Sequence, residues 1–172
     1  MTHIRTTHVG SLPRSQEVTD FLFSKEKNQA YNATHFDEVM KKHVDLIVSR
    51  QKDCGIDIVS DGETSKISYA TYVKDRYTGF SGDSPRNAPA DLIMFPTFLK
   101  RLADSGGTPE YTRPMCTGEV KPLSSSELKK DISNLKSAIK KYGNIHGFMN
   151  AASPGVISVS YTHLRAHETE AD

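Results

Sequence analysis

Gly55-Ile56-Asp57-Ile58-Val59-Ser60-Asp61-Gly62-Glu63 decides how this chain is read. Ahead of it, Phe36, Val39, Met40, Val44, Ile47 and Val48 recur at helical spacing, and Gly55 stands where that helix should stop. Ile56 to Ser60 is too short and too β-branched for a second helix, so it is a strand. Two carboxylates flank a glycine where that strand ends. In a parallel α/β sheet or barrel, residues at the carboxyl ends of strands face a shared ligand site. Asp61 can cap the following turn or orient its neighbours, and Glu63 is the first candidate to meet a ligand.

Upstream, Thr7-His8-Val9-Gly10-Ser11-Leu12-Pro13-Arg14 reads as a strand that breaks on Gly-Ser. Gly10 opens the main chain to close approach. Ser11 adds a hydroxyl that donates or accepts, and Pro13 ends any ladder. Ser11 and Glu63 should then share one rim. His8 is read equally as a ligand-polarising donor or a structural histidine. Arg14 is read as a solvated side chain or as a partner for an anionic group.

Further along, Cys116-Thr117-Gly118-Glu119-Val120 and Phe148-Met149-Asn150-Ala151-Ala152-Ser153-Pro154-Gly155-Val156-Ile157 mark a third and a fourth strand region. Asn150 and Ser153 are placed where the fourth strand meets the rim. As an ordered set, from Thr6 to Ile157, these strings resemble the catalytic barrel of the cobalamin-independent methionine synthase family and its single-barrel relatives. The resemblance implies an α/β chain carrying the first half of a TIM-type (β/α)8 barrel, about four parallel βα units. Such a barrel typically needs about 250 residues.

The resemblance also implies chemistry. The family moves a methyl group from 5-methyltetrahydrofolate, carried as its polyglutamate, to the homocysteine thiol in methionine biosynthesis. Its Gly-Ser pair and the glutamate after its second strand hold the amino acid, and these match Gly10, Ser11 and Glu63. No catalytic residue is assigned in this chain, and His8 and Asn150 are further binding candidates. A thiol of pKa about 8.5 is mostly protonated at neutral pH, and family members present it to zinc as thiolate. Their ligands are a His-x-Cys pair, a later cysteine and often a glutamate, all from the second barrel half, and no match is found here. Val9 before Gly-Ser and Thr64-Ser65-Lys66 after Gly-Glu depart from methionine synthases proper. Two other readings follow: a thiol alkyltransferase acting on coenzyme M or another thiol, and a non-catalytic ligand-binding barrel.

Alternation supports the fold. Ser15 can cap a helix carrying Val18, Phe21 and Leu22 on one face. Thr34 to Asp37 resembles a capping box for the long helix, and Ser124-Ser125-Ser126-Glu127 one for a helix with a Leu128, Ile132, Leu135, Ile139 stripe. Residues 64–114 form a long excursion holding Tyr69, Tyr72 and Tyr77 and a helix near Thr97 to Ala103, either a substrate wall or a surface decoration. Cys54 and Cys116 are expected as reduced, buried packing thiols in a cytoplasmic protein.

Val159-Ser160-Tyr161-Thr162-His163-Leu164-Arg165-Ala166-His167-Glu168-Thr169 resembles a translated transposase-type sequencing adapter. Residues 1–158 are therefore expected to form the barrel part and 159–172 a non-biological tail. That removes His163-x3-His167 as a metal motif despite its spacing. With 22 basic and 21 acidic side chains, the net charge of +1 provides no field for nucleic acid or an anionic membrane. No segment approaches the roughly 20 apolar residues of a membrane span. The expected partners are a small-molecule thiol and a methyl donor, and the sequence leaves the oligomeric state open.

Overall fold

The computed structural model describes residues 3–68, 71–82, 90–104, 114–143 and 145–160. Helix α1 spans Gln16–Glu26 and α2 spans Ala33–Asp53, followed by strand β1 at Ile58–Ser60. A 3-10 turn at Thr71–Asp75, strand β2 at Phe80–Ser81 and helices α3 (Ala90–Met94) and α4 (Pro96–Asp104) come next. Then follow β3 (Met115–Cys116), α5 (Ser126–Lys141), β4 (His146–Phe148) and α6 (Pro154–Ser160).

Ser15 caps α1 as its spacing requires, its hydroxyl accepting from the Val18 amide at 3.3 Å. The long helix is capped two residues earlier than Thr34, by Asn32, whose side chain accepts from the His35 amide at 3.0 Å. Asn and Thr both satisfy an orphan amide, and Asn ranks above Thr at this position. At α5 the expected box gives way to a local serine turn. Ser124 Oγ accepts from the Ser126 amide at 3.1 Å, and the N-cap Ser125 makes no side-chain cap bond.

Helix α2 is the spine. Phe36, Val39, Met40, His43, Val44, Ile47, Val48 and Gln51 are all buried, a stripe that recurs at helical spacing along one face. Its front half packs Phe36, Val39 and Met40 against Val18 and Leu22 of α1. Its rear half joins Val44 and Val48 to Val59 of β1 and to Leu135 and Ala138 of α5. Val48 and Val59 are fully buried, each such side chain stabilising by about 1.5–3 kcal/mol. The rear cluster holds β1 against α2 and α5.

β1 pairs in parallel with β4, Val59 opposite Gly147, and a parallel bridge joins Thr7 to Ile58 on its other side. The N-terminal strand is pinned by Asp57, which accepts from the Thr6 amide at 2.7 Å and from His3 at 2.8 Å. Those bonds, the Thr6 amide first, hold its carboxyl down at about 2. The chain is thus α/β with parallel strands. One strand departs from the sequence reading: β3 pairs antiparallel with β2, Phe80 opposite Cys116, in a separate ribbon. The parallel order is therefore the Thr7 segment, β1, β4, with the third strand region taken up by the excursion. A two-residue apolar run carries no information about its partner, and here it pairs with β2 rather than with β1 or β4. The thiols also differ from expectation, Cys54 being exposed and Cys116 only partly covered.

Candidate functional site

β1 ends at a bracket built by α2. Gln51, buried in the last turn of the helix, donates to the Ser60 carbonyl at 2.8 Å and accepts from the Ser60 amide at 3.0 Å. Past that point the chain turns sharply through Asp61-Gly62-Glu63. Asp61 Oδ1 accepts from the Glu63 amide at 3.1 Å, the turn-capping role among its two readings. Gly62 has φ +60°, and a Cβ there would meet Leu12 Cβ at 3.0 Å and Ile47 Cγ2 at 3.1 Å. The Leu12 amide donates to the Gly62 carbonyl at 3.0 Å, so the two rim loops are tied directly.

Glu63 also lies in the left-handed region, at φ +55°. That conformation is uncommon for a residue with a Cβ and persists where surroundings enforce it. Here they do. Ser11 Oγ donates to Glu63 Oε2 at 2.7 Å, and Asn150 Nδ2 donates to Oε1 at 3.1 Å. Arg14 Nη2 donates to the backbone carbonyls of Glu63 at 2.9 Å and Lys66 at 2.5 Å. Burial lowers the Arg14 pKa, opposed by the carboxylates of Glu63 and Asp61. Arg14 is therefore neither solvated nor a ligand arm; it staples the loop that presents Glu63.

Ser11, Glu63 and Asn150 thus converge from the ends of three neighbouring parallel segments. Gly10, at φ +103°, has nothing within 4 Å of the place a Cβ would occupy. His8 lies at the same end, its Nε2 buried with no hydrogen-bond partner among the described residues. Ser153 accepts from the Val156 amide at 3.2 Å, the start of α6. Three residues of the neighbourhood were not singled out from sequence: Gln51, Lys66 and His43. Lys66 is only 4% exposed, and its Nζ donates to the Asn150 carbonyl at 2.9 Å. On a sequence Gln51 and Lys66 look like solvated polar residues, and only the tertiary pairing reveals them.

The zinc that the family resemblance implies finds no donor set here. Among the described residues no three His, Cys, Asp or Glu side chains converge as a metal site would require. Cys54 caps the end of α2, and the Cys116 thiol faces the Gly118 carbonyl at 3.8 Å in the antiparallel ribbon. The His163, His167 and Glu168 tail lies outside the described residues. No helix among them is long and apolar enough to cross a membrane.

Parallel strands under packed helices, with a polar cluster where those strands end, define an α/β protein of barrel type. Residues 4–84 match the family model described as "Cobalamin-independent synthase, Catalytic domain". Over that stretch the chain is similar to the cobalamin-independent methionine synthase family. The 5-methyltetrahydropteroyltriglutamate–homocysteine methyltransferases of Desulforamulus reducens and Bifidobacterium adolescentis are each 29% identical over 75 residues, 44% of this chain and 10% of theirs. That of Corynebacterium glutamicum is 23% identical over the same length. A B12-independent methionine synthase from a Shewanella species, solved in complex with selenomethionine, superposes with a TM-score of 0.58 at 17% identity. The superposition covers 94% of this chain and 41% of that one. The alignment to the curated relatives thus spans about a tenth of their length.

Proposed function

We propose that this chain is the front of a barrel that methylates the thiol of an amino acid, with homocysteine as acceptor and a methyl-folate as donor. Residues 1–158 supply the barrel part, and the zinc ligands and remaining strands lie outside it. The convergence of Ser11 and Asn150 on the two oxygens of Glu63 carries this reading. A carboxylate has about four acceptor positions, so two remain for the ammonium of a bound amino acid. Ser11 and the open main chain at Gly10 face the carboxylate end of the same ligand. Asn150 fixes the rotamer of Glu63, and the Arg14 staple fixes its backbone. Matches to three curated homocysteine methyltransferases and to a selenomethionine-bound structure support an amino acid of this size.

Calorimetric titration of the chain with L-homocysteine and with 2-mercaptoethanesulfonate, which has no amino group, tests the reading. Glu63→Gln keeps the shape and removes the charge. A charge-assisted hydrogen bond contributes about 1.5–3 kcal/mol, so homocysteine affinity should fall roughly 10- to 100-fold, while the sulfonate thiol is indifferent. Homocysteine binding unchanged by Glu63→Gln would remove the amino-acid reading. Failure of both thiols to bind would favour a cluster that only holds the loops together.

A further inference from the structure

Beside the Glu63 cluster lies a cavity of about 270 Å³ between the Thr71–Asp75 turn, the loop entering α5 and the chain after β4. Its walls are apolar where Val73, Leu123, Leu128 and Ile157 meet it. Two cations, Lys66 and Arg76, line it, and no Asp or Glu does. Arg76 is already matched, its Nη2 lying 3.1 Å from Asp131. Lys66 is not. Among the described residues its Nζ meets the Asn150 carbonyl at 2.9 Å and the face of Tyr72, 5.2 Å from the ring centroid, and no carboxylate comes within ion-pair distance.

An ammonium taken out of water without a counter-charge is costly. Lys carries three donors, and one carbonyl occupies one of them. The Tyr72 hydroxyl offers no anion, since burial first and Asp131 second raise its pKa. Arg76 Nη1 is likewise buried without a partner. The cavity therefore has a surplus of positive charge at one end and a greasy remainder.

We propose that this cavity receives an organic acid, a carboxylate or sulfonate on a short apolar chain, with Lys66 as its counter-charge. The site adjoins the proposed amino-acid cluster through Asn150 but does not depend on the thiol assignment. A ligand of this class lays its acid group at Lys66 and its chain along Leu123 and Leu128. The cavity's size limits that chain to a few carbons.

Butyrate, 1-propanesulfonate and the neutral butyramide, titrated into the full chain by calorimetry, test it directly. Both anions should bind and butyramide should not. Lys66→Met should weaken the anions roughly 10- to 100-fold, while Lys66→Arg retains most of the affinity. Without ligand, Lys66→Met should leave the Tm unchanged or raise it, because it removes an unpaired buried charge. Butyramide binding as well as butyrate, no binding by any probe, or a lowered Tm in Lys66→Met with unchanged anion affinity would each overturn the proposal. Anion binding without homocysteine binding would contradict the amino-acid reading above and leave this one standing.

Discussion

Glu63 is 4% exposed, left-handed, and held on both oxygens. Its neighbour Gly62 is the residue on which that geometry turns. Gly62→Ala places a methyl against Leu12 and Ile47 at a φ that alanine resists. The expected loss is about 1–3 kcal/mol, read from chemical denaturation. His43 gives a pH-dependent test. Burial first, then Arg14 and Arg50, lowers its pKa against the opposing bond to the Pro13 carbonyl. With a folded-state pKa below the ordinary 6.5, the unfolded chain takes up the proton first. The contribution is therefore complete above that value and is lost as pH falls through it. The Tm of wild type should drop relative to His43→Leu between about pH 7.5 and 5. A constant difference across that range would show that His43 is not held neutral.

At the scale of elements, the join between α2 and β1 is the part most fully carried by Gln51. Gln51→Leu leaves the buried amide and carbonyl of Ser60 without that partner, and the expected cost is about 2–4 kcal/mol. Unfolding midpoints within error of wild type would mean that the bracket is incidental. The helix itself was legible because its apolar stripe, Phe36 to Val48, repeats over more than three turns and the helix ends before Gly55. β1 was legible because β-branched residues sit between two glycines. The antiparallel pairing of β3 was not, since parallel alternation was extended to a two-residue segment whose pattern does not name its partner. The cap at α2 slipped by two residues, Asn32 taking the place expected of Thr34, and at α5 the expected Ser124 bonds the Ser126 amide instead of closing a box with Glu127.

In the whole molecule, Thr7, β1 and β4 give three neighbouring parallel segments whose carboxyl ends gather Gly10, Ser11, Glu63 and Asn150. Sequence order and strand-end punctuation placed Ser11 and Glu63 on one rim, which is where they stand, 2.7 Å apart. The Arg14 staple and the Lys66 to Asn150 bond were hidden, because they join residues up to 84 positions apart through long side chains that read as solvent-facing. Apolar residues of the N-terminal segment remain uncovered, Ile4 at 85% and Val9 at 68% exposure, which accords with the proposal that further barrel strands lie outside this chain. The most direct test of the central claim is amide chemical-shift mapping by NMR during titration with L-homocysteine. The account predicts saturable shifts confined to Gly10 and Ser11, Gly62 to Thr64, and Asn150. Shifts centred elsewhere, or none at millimolar ligand, would contradict it.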